Sequence, residues 1–157
     1  MIEARLQAEA FDAGRELVRL GALGGGGVAS FTGIVRGDGG LMELFLEHHP
    51  VMTLASMQAM ADDAAARWTL LGASVIHRHG PLMPGDPIVF VGTAASHRGA
   101  ALEACAYLID QLKTRAPFWK RERFADGTQR WVEARVDDDV AAARWQSDGV
   151  ARGSQSR

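Results

Sequence analysis

The sequence predicts an α+β fold with a mixed, largely antiparallel sheet, and three observations carry that expectation. Helical and strand-like segments are interspersed along the whole chain. Several strand-like runs are joined by tight turns, including Pro84-Gly85-Asp86 and Asp126-Gly127, which suit antiparallel neighbours better than parallel ones. No internal repeat or linker divides the 157 residues, a length that fits one domain with a sizeable core. The domain is expected over 1–148, with a polar, disordered tail over 149–157.

The elements follow in order. Phe11–Leu20 reads as a helix with Asp12 as N-cap and Leu17 and Leu20 on one face. Gly24–Gly27 is a flexible stretch leading into a strand over Val28–Val35, and Gly37–Gly40 is a turn before the strand Leu41–Glu47. Thr53 caps a long helix to Trp68, with Met57, Met60 and Ala64 at helical spacing. Strands are expected over Ala73–His79 and Ile88–Ala94, separated by the proline-glycine turn. A third helix runs from Gly99 with an apolar stripe of Leu102, Cys105, Leu108, Ile109 and Leu112. It stops near Arg115, because Pro117 disfavours helical geometry at Ala116. Asp126-Gly127 tips a hairpin that ends in Trp131–Val136, and a short helix lies around Val140–Trp145.

Composition narrows the class. The 47% hydrophobic and 23% charged fractions are those of a soluble globular domain, and a net charge of −2 argues against a general nucleic-acid binder. The single cysteine, Cys105, cannot form an internal disulfide, and its alanine neighbours on a helix suit a buried structural thiol. With an acid at position 3 and no apolar run behind it, no signal peptide is expected at this N-terminus, and no stretch approaches the roughly 20 apolar residues of a membrane span. A cytoplasmic chain is expected.

Against that acidic balance, residues 113–123 carry five cations, Lys113, Arg115, Lys120, Arg121 and Arg123, around the turn Ala116-Pro117-Phe118-Trp119. Clustered cations lower one another's proton affinity, which suits an anionic ligand or a lysine used in chemistry, whereas a solvated charged face is the plain reading. Arg36 ends a strand beside a glycine-rich loop, where its planar fork suits a phosphate or merely terminates the strand. His97 and Arg98 stand where a strand gives way to a helix start, a position that favours anions and equally accommodates solvent-facing side chains. Gly24–Ala29 nominally fits GxGxxA but follows a helix and enters a strand, the reverse of a dinucleotide loop. His77 and His79 share a strand face, yet no cysteine pair or HExxH accompanies them, so no metal site is expected.

Seven segments taken together resemble the catalytic (large) subunit family of molybdopterin synthase: Phe31–Arg36, Leu46–His48, Val75–Arg78 with Gly80, Pro84–Asp86, Ser96–Arg98, Leu112–Glu122 and Trp131–Arg135. The resemblance covers roughly Phe11 to Arg135, and the lysine segment is the most specific of the seven. The resemblance implies an α/β-hammerhead-like domain forming a homodimer within a heterotetramer, each protomer holding a small ubiquitin-like sulfur-carrier subunit. The carrier's thiocarboxylated C-terminus would deliver two sulfurs, from successive carriers, to cyclic pyranopterin monophosphate, with no metal or cofactor taking part. By the same match Lys113 and Lys120 are the catalytic residues, and Arg36, His97, Arg98 and Arg135 bind substrate, His97 and Arg98 in the neighbouring protomer's pocket. A non-catalytic anion-binding or protein-interaction module using the 113–123 segment is the alternative. The sequence departs from the family pattern in the short loop Gly37–Gly40 and at His49, Val51 and His79, which touches pocket shape rather than any candidate catalytic group.

Overall fold

A computed structural model of the chain describes residues 1–132 and 136–153. Its strands form two four-stranded sheets. The first joins β1 (Ile2–Gln7), β4 (Gly72–Arg78), β6 (Pro87–Ala95) and β2 (Gly27–Ile34), in that order, with β1 parallel to β4 and the other pairs antiparallel. The second is antiparallel and joins β5 (Gly80–Leu82), β3 (Leu41–His48), β7 (Phe118–Phe124) and β8 (Gln129–Trp131). The α+β class therefore stands, with its strands divided between two sheets. β1 and the short β5 are additions to the sequence reading, since neither shows a run of β-formers bounded by turn residues.

The first sheet is buried on both faces, which is why β4 is buried from Gly72 to His77. On one face α2 (Met52–Trp68) and α3 (Arg98–Arg115) pack Met57, Met60, Ala64 and Leu108 against Val75 and Val91. On the other, Leu20 of α1 (Ala13–Gly21) closes over Ile76, Phe90 and Ala94. Neighbours such as Ile76 and Val75 face opposite ways because side chains alternate along a strand. Asp12 caps α1, its carboxylate accepting from the Arg15 amide at 3.0 Å.

Three side-chain expectations need correction. Leu17 is 39% exposed, and the buried partner of Leu20 on α1 is Glu16, held by Arg5, Arg19 and the Ser74 hydroxyl. Leu102 is 60% exposed, because the inner row of α3 runs through Ala101, Ala104, Cys105, Leu108 and Leu112. Thr53 does not cap α2. The His49 Nδ1 accepts from the Val51 and Met52 amides there, while the buried Thr53 hydroxyl donates to the Pro117 carbonyl at 2.9 Å.

The C-terminal helix α4 (Val136–Gly153) is longer than the short helix expected and takes in residues 149–153 of the expected tail; 154–157 lie outside the described residues. Trp145 fixes it to the α2–α3 layer, its indole donating to Asp110 at 2.7 Å and lying edge-on to Trp68 and Tyr107. Cys105 is buried, as expected of a structural thiol, and burial pushes its pKa up to about 11. Among the described residues no helix is long and apolar enough to cross a membrane.

The glycine run has a packing explanation. A Cβ at Gly26 would stand 2.3 Å from the Ser96 carbonyl oxygen, and one at Gly25 would stand 2.4 Å from that of Ala95. The Gly26 amide donates to both carbonyls at 3.1 Å, so the backbones must touch. Gly26→Ala is expected to destabilise the fold by about 1–3 kcal/mol, as overpacking against a rigid backbone does. Gly99→Ala, where a Cβ meets open space, serves as the control. Urea unfolding of both variants checks this, and equal stability of the two would contradict it.

Candidate active site

α3 ends at Arg115, as the proline rule requires: Ala116 is extended, with ψ 124°, and β7 starts one residue after Pro117. The corner is pinned by Thr53, whose hydroxyl donates to the Pro117 carbonyl and accepts from the His49 amide, both at 2.9 Å. Lys113 thus projects from the last turn of the helix and Lys120 from the third residue of the strand. Register fixes Lys120 opposite Leu46 on β3, and its neighbour on the same face two residues on is Glu122.

Both lysines line a cavity of about 720 Å³ between the end of α3 and the two sheets. Arg36 at the end of β2, Glu122, Arg130 and the buried His77 line it too. Carboxylates answer the arginines: Arg36 pairs with Asp38 and Arg130 with Glu122, each at 3.5 Å. Neither lysine has an ion-pair partner among the described residues. Burial holds the Lys120 amine below the ordinary lysine range and the Lys113 charge pushes it lower, with Asp138 and Glu122 opposing. An amine so placed binds an anion and gives up a proton more readily than an exposed lysine.

Of the six residues singled out from the sequence, the cavity gathers Arg36, Lys113 and Lys120. His97 and Arg98 do not line it. They stand exposed at the start of α3, and 15 residues of helix put Arg98 roughly 22 Å along the axis from Lys113. Arg135 lies outside the described residues. His77 was missed as a site residue because its contact is between strands distant in sequence. Its ring stacks on Phe118 at 4.0 Å and 25°, while His79 lies against His48 at 4.2 Å. Glu122 was missed as well; the alternation that puts it on the face of Lys120 follows only once Phe118–Phe124 is known to be a strand.

Residues 4–115 match the family model described as MoaE protein. The chain belongs to the MoaE family. It is 50% identical over 147 residues to the molybdopterin synthase catalytic subunit of Pseudomonas aeruginosa, covering 90% of this chain and 97% of that one. The solved structure of the molybdopterin biosynthesis MoaE protein from Burkholderia ambifaria superposes with a TM-score of 0.80 at 43% identity, over 93% of this chain and 99% of that one. The crystal structure of molybdopterin synthase from Staphylococcus aureus superposes with a TM-score of 0.73 at 27% identity, over 82% and 95% of the two chains. The two-sheet architecture of this MoaE chain is therefore that of its relatives.

His77 gives the site a measurable titration signature. Burial, aided by the charges of Lys120, Lys113 and His79, pushes its pKa down to about 4, although the hydrogen bond to the Arg78 carbonyl opposes the shift. Unfolded, the imidazole titrates near 6.5, so between pH 6.5 and 4 the unfolded chain binds a proton that the folded chain does not. Stability therefore falls as pH drops through that window, by a total of about 3 kcal/mol from this group, and is indifferent to it above pH 6.5. Urea unfolding from pH 7 to pH 4 is expected to show a shallower loss in His77→Phe than in the wild type. Equal slopes would contradict the buried neutral imidazole.

Proposed function

We propose that this chain is the catalytic subunit of a molybdopterin synthase, a sulfurtransferase that converts cyclic pyranopterin monophosphate to molybdopterin. The sulfur comes, one atom from each of two successive carriers, from the thiocarboxylated C-terminus of a small ubiquitin-like subunit. The observation that carries the reading is the pair Lys113 and Lys120 in one cavity, in a chain half-identical to a named catalytic subunit of this enzyme. Both reactants are anions, and the two lysines are cations that no described carboxylate neutralises by an ion pair.

In this reading Lys113 holds the thiocarboxylate and assists proton movement as its sulfur attacks the pyranopterin. Lys120 binds the substrate and stabilises the charge that develops as the cyclic phosphate opens, its lowered proton affinity suiting it to proton transfer. Arg36 adds a third cation at the cavity edge. His97 and Arg98, at the far end of α3, serve the cavity of a second copy, so the working unit is a homodimer carrying one carrier on each protomer. Trp119, half exposed on the strand face opposite to Lys120, is available to such a protein contact. The cytoplasm is the proposed compartment.

Reconstitution of purified chain with thiocarboxylated carrier and cyclic pyranopterin monophosphate tests the reading, with dithiolene formation as the readout. Lys113→Ala and Lys120→Ala are expected to lose roughly 10²-fold or more of the rate. Lys113→Arg should bind the carrier yet react poorly, because arginine does not shed its proton. Mixing Arg98→Ala with Lys113→Ala chains should recover part of the activity lost by each. Full activity in both lysine-to-alanine variants would refute the catalytic assignment, and an absence of recovery would refute the shared site.

A further inference from the structure

A site built for anions is expected to present donors, yet one of its buried side chains presents an acceptor. The Nδ1 of His77 lies 2.7 Å from the carbonyl oxygen of Arg78, which can only accept, so Nδ1 carries the ring proton. In the neutral imidazole the other nitrogen, Nε2, then holds a lone pair. Burial and the two lysine charges keep the ring neutral over the working pH range. Its orientation is fixed as well, by the stack on Phe118.

The surroundings say what this acceptor suits. Phe118, Val89, Val91 and Ile109 line the same cavity as His77 and offer a largely apolar wall. Such a wall accepts a flat, uncharged group and penalises a charged one that lacks a partner. Lys113 and Lys120 already answer the anionic groups. The part of the substrate that remains is its heterocycle, which carries N–H donors and no charge.

We infer that His77 is a substrate-orienting residue, its Nε2 accepting a hydrogen bond from an N–H of the pyranopterin ring system while the lysines hold the phosphate and the carrier terminus. The inference rests on the synthase reading and deepens it. His77 selects the heterocycle, and a ring that lacks an N–H at that point, or presents an acceptor there, binds poorly. Leaving a buried donor without its partner is costly, so the loss falls on substrate affinity.

The test compares wild type, His77→Phe and His77→Gln in the full chain. Phe keeps an aromatic ring for the Phe118 stack and removes the acceptor; Gln retains an acceptor. Binding of cyclic pyranopterin monophosphate is read by quenching of tryptophan fluorescence, and KM and kcat are read in the carrier-dependent reaction. His77→Phe is expected to raise the Kd and KM for the pyranopterin roughly tenfold. Carrier affinity and inhibition by inorganic phosphate should not move, and His77→Gln should retain more affinity than His77→Phe. Unchanged pyranopterin affinity in His77→Phe, equal losses in the two variants, or a loss confined to the carrier would each overturn the inference. A wild-type chain that binds the pyranopterin but yields no dithiolene would contradict the synthase reading, while the Kd comparison would still decide the role of His77. A wild type that binds no pyranopterin would overturn both.

Discussion

The hydrogen bond from the Thr53 hydroxyl to the Pro117 carbonyl is the constraint on which the site depends. It ties the helix layer to the corner where α3 becomes β7, and that corner determines how Lys113 and Lys120 meet. The proline makes the change of direction obligatory by expelling Ala116 from helical geometry, and the buried threonine fixes where the emerging strand goes. β3 then holds β7 in register, with Leu46 opposite Lys120 and His48 opposite Phe118. Lys113 and Lys120, seven positions apart and thus about two turns apart on a continuous helix, instead stand on a helix and a strand facing one cavity.

The charge pattern in that cavity follows a division of labour between the two kinds of cation. Its arginines are answered locally, Arg36 by Asp38 and Arg130 by Glu122, in partly exposed pairs that contribute little to stability. The lysines have no ion-pair partner among the described residues, which leaves their charge available to the anions of the proposed reaction. Partial burial of Lys120 beside Lys113 makes the charged amine costly, and an incoming anion relieves that cost. His77 belongs to the same electrostatic unit: burial first, and then the charges of Lys120 and Lys113, keep the imidazole neutral.

Much of this was legible in the sequence because it depends on local rules. The end of α3 follows from Pro117 and the cap of α1 from Asp12. The two sheets were less legible, because partition of strands depends on pairings between distant segments. β1 was legible and missed: Ile2, Ala4 and Leu6 alternate with Glu3, Arg5 and Gln7 at the period of a half-buried strand, though Ala and Glu are weak strand formers. Glu16 was unreadable as a buried residue, since a carboxylate enters a core only when Arg5, Arg19 and Ser74 converge on it in space. His77 failed for the same reason, its partner Phe118 lying on another sheet. The separation of His97 and Arg98 from the lysines was available from helix length alone, since all four bracket a single helix.

Lys113 and Lys120 form one site only if their charges are coupled, and direct titration of Lys120 measures that coupling. Selective ¹³C labelling of the lysine ε-carbons, followed by NMR across pH, reads the amine without a substrate or a carrier. The expected result of such coupling is a Lys120 that titrates below the ordinary lysine range in the wild type and moves upward in Lys113→Ala, since removing a like charge restores proton affinity. An ordinary Lys120 pKa that is indifferent to Lys113 would contradict it, leaving two surface cations rather than one site.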